Sequence, residues 1–124
     1  MITSYSCNEK TLDCSELKYD GKMTTFNGKP YSGSCKTYFA SKKLHSIQRY
    51  KNGLDDGEWT FLSENGNLLT KGKFKMGKRI GKWEYYYKNG TLKKDQFYDN
   101  EGQKVGIWKV YDSLGTVISG KRFN

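Results

Sequence analysis

The residues of this sequence with the potential for chemistry are few, and they do not converge on one site. His45 is the single histidine, and no Asp or Cys motif accompanies it as an acid–base partner. Asp55-Asp56 has the form of a paired carboxylate, but we interpret it as solvated loop charge. Its counterparts elsewhere in the chain are Arg79-Ile80 and Lys104-Val105. The glycines form neither a GxxxxGK[ST] nor a GxGxxG phosphate loop. We therefore predict a non-enzymatic protein without catalytic residues or cofactors.

The three cysteines, Cys7, Cys14 and Cys35, form no CxxC motif and have no histidine cluster beside them, which argues against a zinc site. The N-terminal stretch MITSYSCNEK lacks the basic start and apolar run of a secretion signal. Together with the odd number of cysteines, it predicts reduced thiols in a cytoplasmic protein. A Cys7–Cys14 disulfide is the alternative for an exported chain. No apolar run of about 18 residues is present, so we predict no transmembrane segment.

The charge of the chain favours acidic partners. Its formal net charge is +9, from 22 Lys and Arg against 13 Asp and Glu. Such an excess attracts acidic proteins, nucleic acids and anionic lipids, although it also serves solubility alone. Charge therefore restricts the class of partner without choosing among these three.

A repeat of 24 to 25 residues organises most of the chain. Trp59, Trp83 and Trp108 recur at that spacing. A glycine stands two residues before each of them, at Gly57, Gly81 and Gly106. A first, degraded unit has Gly33 in phase, Cys35 in place of tryptophan, and Lys42 in place of a turn glycine, which predicts a different backbone geometry for that turn. Between the glycines, side chains alternate with period two, and Asn-Gly pairs supply turns.

Each unit is therefore predicted to form a β-hairpin, and four hairpins give an all-β fold. We predict a single-layer, twisted antiparallel meander of about eight strands. The units fall near 26–49, 50–73, 74–97 and 98–124, after an N-terminal cap segment, 1–25, with a short strand or hairpin around Asp20-Gly21. The glycines before each tryptophan are interpreted as gaps into which large rings pack.

The stretches YKNGLDDGEWTFLSENGNLL and FKMGKRIGKWEYYYKNGTLK resemble the MORN repeat in its bacterial variant. The resemblance extends from about residue 26 to 124, with departures at Cys35, Lys42 and Leu62. It implies a non-catalytic scaffold, and stand-alone bacterial members are often labelled antitoxins or immunity proteins that bind a toxin.

Strand parity divides the sheet into two faces, and many basic residues fall on the face opposite the tryptophans. We predict partner binding on that face, with a solvated outer surface as the alternative. The candidate residues are Tyr38, Arg49, Lys71, Lys73, Lys75, Lys82, Tyr86, Lys93 and Tyr111.

Three classes of function follow from these features. The leading one is a scaffold that binds an acidic partner protein, as an antitoxin or immunity protein does. The second is a structural protein that self-associates through an exposed sheet edge. The third is a binder of anionic surfaces, either nucleic acid or acidic lipid.

Overall fold

The computed structural model of the protein describes residues 10–124, and strands account for most of them. Eight long strands form four hairpins: β5 (Gly33–Tyr38) with β6 (Leu44–Lys51), β8 (Gly57–Leu62) with β9 (Leu68–Lys75), β10 (Lys78–Tyr86) with β11 (Leu92–Tyr98), and β12 (Gly106–Tyr111) with β13 (Val117–Phe123). Five short strands accompany them: β1 (Thr11–Asp13), β2 (Lys18–Tyr19), β3 (Thr24–Phe26), β4 (Lys29–Pro30) and β7 (Leu54–Asp55). A three-residue 3-10 turn, Cys14–Glu16, is the one helical element in this part of the chain, so no helix there is long and apolar enough to cross a membrane.

The long strands follow one another in chain order across a single sheet, β5-β6-β8-β9-β10-β11-β12-β13, with β7 beside β6. The predicted all-β antiparallel meander is therefore confirmed. The sheet also has one parallel pair, because β1 lies along the outer edge of β5. A second sheet, β2-β3-β4, contains the hairpin predicted at Asp20. The division of the chain at residue 26 remains a prediction.

A left-handed residue closes each hairpin turn. Gly66, Gly90 and Gly115 have φ near +90° and donate their N–H to the carbonyl three residues earlier. The first hairpin has Lys42 at this position with φ +73°, and its N–H bonds the carbonyl of Phe39 at 2.8 Å. The prediction that this turn uses a different geometry is wrong. Lys42 adopts the glycine conformation, which costs a side-chain-bearing residue about 1 kcal/mol.

The rings form a row in two halves along one side of the sheet. Edge-to-face or tilted contacts run from Tyr50 through Trp59 and Phe74 to Trp83, and again from Tyr98 through Trp108 to Phe123, with centroid distances of 4.7–5.5 Å. Each aromatic pair adds about 1 kcal/mol beyond the area that it buries. Few residues are fully buried, so the thin sheet depends on this row more than on an enclosed core.

A tryptophan ring packs against the backbone at Gly72, and not at the glycines that precede each tryptophan. A Cβ at Gly72 would lie 2.0 Å from the Trp83 ring. A Cβ at Gly81 would meet nothing within 4 Å, and one at Gly106 nothing closer than 3.7 Å. Gly57 faces the aliphatic part of Arg49 rather than a ring. The glycines before each tryptophan are therefore required by their positive φ, and the interpretation of them as ring sockets is wrong.

A disulfide joins the N-terminal segment to the first repeat unit. Cys14 bonds Cys35 across a sequence separation of 21 residues, with the Cα atoms 4.9 Å apart. Cys35 has no exposed surface and occupies the tryptophan position of its unit. The prediction of reduced thiols is wrong for these two residues, and Cys14 is not available to pair with Cys7, which lies outside the described residues. The pairing depends on the parallel return of β1 along β5, which cysteine spacing does not reveal.

Candidate interaction surfaces

The strand register defines two faces of the sheet, because residues directly opposite one another on neighbouring strands share a face. Trp59 lies opposite Gly72, whereas Glu58 lies opposite Lys73. We call the side with Trp59, Trp83 and Trp108 the tryptophan face and the side with Lys71, Lys73 and Lys75 the lysine face.

The centre of the lysine face is a row of three exposed lysines on β9, namely Lys71, Lys73 and Lys75. Lys71 Nζ lies 3.8 Å from a Glu58 carboxylate oxygen, and about half of each side chain is exposed. Such an exposed pair stabilises the protein by less than about 1 kcal/mol and is screened by salt. The row therefore remains a source of positive potential along one strand.

The other predicted partner-binding residues are spread over the sheet. Arg49 lies on the lysine face of β6, and Lys82 on that of β10, where its Nζ is 3.4 Å from Glu84. Tyr38 is half-exposed at the end of β5. Since strands are about 4.8 Å apart, Tyr38 is roughly 14 Å from the lysine row. The structure groups the three lysines of β9 with Lys82 and leaves Tyr38 distant.

Two further predicted residues lie near the hairpin turn that joins β10 and β11. Tyr86 lies beside Glu84, and burial, followed by the interaction with that carboxylate, raises the pKa of the Tyr86 hydroxyl. Lys93 lies at a β-bulge beside the Tyr86–Leu92 pair, and its Nζ is 5.6 Å from the Tyr87 ring centroid. A lysine held over a ring presents a charge of more fixed position than a free side chain does.

On β11 an acidic residue and an apolar residue interrupt the lysine face. Asp95 and Phe97 occupy the positions that Lys71 and Lys73 hold one repeat earlier. Asp95 is 7% exposed, and the Tyr111 hydroxyl donates to its Oδ2 at 3.4 Å. No residue within 10–124 donates a hydrogen bond to Oδ1. Burial, and next the Asp95 charge, raise the pKa of Tyr111. The lysine face is therefore basic in patches.

A cavity of about 780 Å³ opens beside the lysine row. Its wall combines the apolar side chains of Leu54, Met76 and Ile80 with charged ones, three of them basic and one acidic: Lys51, Lys73, Lys75 and Asp56. Met76 is 68% exposed. An apolar depression with a cationic rim is typical of the central contacts of protein interfaces.

Sequence reasoning missed the cations of the tryptophan face. The Arg79 guanidinium carbon lies 4.7 Å from the Trp83 ring centroid, and Lys104 Nζ lies 5.0 Å from that of Trp108. Arg79 also donates to the Tyr98 hydroxyl at 3.4 Å and so bridges the two halves of the aromatic row. Neither residue was among the candidate partner-binding residues. The available signal was their recurrence four residues before a tryptophan.

Asp55 is the acidic counterpart of these cations, and the prediction that it is a solvated loop charge is wrong. The residue is half-buried, and burial raises its pKa. Burial, and after it the Asp55 charge, raise the pKa of nearby Tyr50 to about 12. The Tyr50 hydroxyl donates to the Gln48 side chain at 3.0 Å.

This pKa predicts a loss of stability in alkali that depends on Tyr50. In the unfolded chain the phenol ionises near pH 10, whereas the folded protein keeps it protonated to about pH 12. A raised pKa in the folded state means that stability falls as pH rises through this interval. Since Tyr50 is half-exposed, we expect a contribution of about 1–2 kcal/mol. Tyr50→Phe should lose that much less stability than the wild type between pH 9 and 11.5, measured by urea unfolding.

Tyr19→Phe is the matched control, because Tyr19 is 71% exposed on the second sheet. It should follow the wild-type pH dependence. Equal pH dependence of Tyr50→Phe and the wild type would contradict the prediction.

Within residues 10–124 no three His, Cys, Asp or Glu side chains cluster in a way that would hold a metal ion. Comparison with known families matches residues 31–52, 55–76 and 79–100, more than half of the chain, to the model described as MORN repeat variant. No curated protein matches significantly. A chain in the crystal structure of the GtfA/B complex bound to UDP and GlcNAc aligns at 11% identity with a TM-score of 0.35, over 86% of this chain and 23% of that chain.

Proposed function

The chain belongs to the MORN repeat variant family, and from this premise we propose that it is a non-catalytic scaffold that binds an acidic partner protein on the lysine face. This family is generally one of non-enzymatic repeats. The observation that carries the proposal is the exposed row Lys71, Lys73 and Lys75 beside a cavity with an apolar wall. Positive charge attracts the partner over a distance, and the apolar wall gains stability once water is displaced.

Reversing the charge of this row should abolish the interaction. The variant is Lys71→Glu/Lys73→Glu/Lys75→Glu, and the assay is affinity capture from the source cells. We expect a stoichiometric protein to be retained by the wild type and recovered at about one tenth of that level or less with the variant. Three like-charge contacts placed against an acidic surface are enough for such a loss. The captured protein should elute as salt rises.

The control makes the same change in net charge away from the lysine row, at Lys18, Lys29 and Lys43, all exposed. This control should capture the partner as the wild type does. Equal capture by the β9 variant, or no stoichiometric protein partner at all, would contradict the proposal. Binding of the wild type to duplex DNA or acidic vesicles with steep salt dependence, and to no protein, would favour an anionic surface instead.

More specifically, we propose an antitoxin-like or immunity-type role, in which the acidic partner is a toxin. The resemblance to stand-alone bacterial members supports this role. The Cys14–Cys35 disulfide favours an oxidising compartment over the cytoplasm predicted from sequence. Toxin neutralisation would therefore take place where such a bond persists. Trapping free thiols in freshly lysed source cells tests the compartment, because a cytoplasmic protein would show Cys14 and Cys35 alkylated.

A further inference from the structure

The three internal junctions between repeat units share one contact. Each tryptophan indole donates its N–H to a backbone carbonyl on the last strand of the preceding unit, at 2.9–3.2 Å. The acceptors are the carbonyls of Arg49, Lys73 and Phe97. Each acceptor immediately precedes an aromatic residue whose ring contacts the same indole at 5.0–5.5 Å. A receiving strand thus offers a carbonyl and a ring to the tryptophan of its neighbour.

These carbonyls point away from their own hairpin and toward the next unit. The Arg49 carbonyl also accepts the N–H of Asp56, and the Phe97 carbonyl accepts that of Val105. Both donor residues lie just before the strand that carries the next tryptophan. The carbonyl is therefore part of the edge that the next unit covers.

β13 has the same pair at the outer edge of the sheet formed by residues 10–124. Arg122 and Phe123 stand 25 residues after Phe97 and Tyr98, in the equivalent positions. Phe123 contacts Trp108 of its own unit, as Phe74 contacts Trp59. No strand within residues 10–124 pairs with the outer side of β13. The opposite end of the sheet differs, because β1 covers part of the outer edge of β5.

The exposed side chains of this end fit a docking edge. Val117 and Ile118 on β13 are 51% and 61% exposed, and Leu114 in the preceding turn is 90% exposed. In the preceding unit the counterpart of Val117, Leu92, is half-buried. Lys104 and Lys121 hold their ammonium groups over the Phe123 ring at 5.4 and 5.2 Å. The edge is therefore apolar along the strand and cationic around its terminal ring.

We infer that the outer edge of β13 receives an antiparallel strand of a partner chain with a Gly-x-Trp sequence preceded by acidic residues. Its indole donates to the Arg122 carbonyl and packs against Phe123, while its carboxylates face Lys104 and Lys121. Backbone pairing supplies the general affinity of strand addition, and the indole supplies selectivity. The inference uses the edge of the sheet rather than the lysine face, so it holds or fails independently of the proposed function.

The test uses a labelled peptide with the sequence of residues 54–75, LDDGEWTFLSENGNLLTKGKFK, which combines these features. Fluorescence anisotropy of this peptide is followed as the 124-residue protein is added. We expect saturable binding that weakens at least about tenfold when the peptide tryptophan is replaced by alanine. Loss of one aromatic contact and one hydrogen bond accounts for a change of that size.

Two variants of the protein locate the binding on β13. Phe123→Ala removes the terminal ring. Gly120→Pro removes an N–H that, two residues before Arg122 in an unbroken register, points to the same open side, a place where proline is tolerated in edge strands. Both should weaken peptide binding about tenfold, with circular dichroism confirming that the sheet is retained. Tyr19→Ala, on the second sheet, should bind as the wild type does.

Several outcomes would overturn the inference. These are absence of saturable binding, equal binding of the peptide without tryptophan, and unchanged binding by Gly120→Pro. Light scattering that shows a dimer dissociated by Gly120→Pro, with no peptide binding, would assign the edge to a second copy of the chain. The charge reversal on β9 should leave peptide binding unchanged, which separates this edge from the lysine face.

Discussion

Gly72→Ala should lower the free energy of unfolding by about 3 kcal/mol, the upper end of the usual cost of overpacking. The added methyl would lie 2.0 Å from Trp83 Cδ2 and 2.2 Å from two further atoms of the ring. Trp83 is 3% exposed, packs against Phe74 and is held by a hydrogen bond to the Lys73 carbonyl. Neither the ring nor the strand is free to shift cheaply. Urea unfolding followed by circular dichroism measures the change.

Gly120→Ala is the matched control for this prediction. Gly120 also lies within a strand at an ordinary φ, and the nearest atom to an added Cβ is 3.6 Å away. We expect it to be neutral or to stabilise the protein by up to about 1 kcal/mol. In Trp83→Leu the ring is absent, so adding Gly72→Ala to that variant should cost far less than it does alone. An additive double variant, or equal effects at both glycines, would show that the Trp83 ring is not the cause.

The repeat fold could be predicted because its signals are local. Each hairpin has its own alternation and its own turn, and the spacing of Trp59, Trp83 and Trp108 fixes the register between neighbouring units. The ring socket at Gly72 was not predictable in the same way. It lies across the strand pair from Trp59, yet the side chain that fills it, Trp83, comes from the following hairpin. Alternation along a strand gives the face on which a side chain lies. Which side chain of the next hairpin it contacts depends on the relative shift and the twist of the strands.

The surfaces were predictable to different degrees. Alternation places Lys71, Lys73 and Lys75 on one face, and the register agrees. Alternation also places Arg79, four residues before Trp83, on the tryptophan face, and its pairing with Phe74 agrees. It does not predict that the Arg79 guanidinium stacks on the Trp83 indole. Asp95 was visible in the sequence as the acid where Lys71 stands one unit earlier. A count of lysines conceals that substitution, which an alignment of the units would have revealed.

Cys14→Ser should lower the free energy of unfolding by about 3 kcal/mol. A disulfide across a 21-residue separation restricts the unfolded chain by about that amount in the loop-entropy model. The wild type in dithiothreitol should lose a similar amount, and dithiothreitol should not destabilise Cys14→Ser further. Cys7→Ser retains the Cys14–Cys35 bond and should keep the wild-type response to reductant. Thermal unfolding with and without dithiothreitol compares all three proteins.

The loss should also have a local component, because β1 is a three-residue strand that pairs with β5 alone. The strand pairs with β5 over three residues, supported by the Ser34 N–H to the Lys10 carbonyl at 2.8 Å and by a contact between the Thr11 and Ser34 hydroxyls at 2.9 Å. Without the disulfide, so short a strand frays, and the amides of Thr11–Asp13 should exchange hydrogen faster relative to those of β9. A uniform increase in exchange would mean that the bond acts only on the unfolded chain. Unchanged thermal stability would contradict the predicted role of the bond altogether, because loss of the cross-link would then cost the fold nothing.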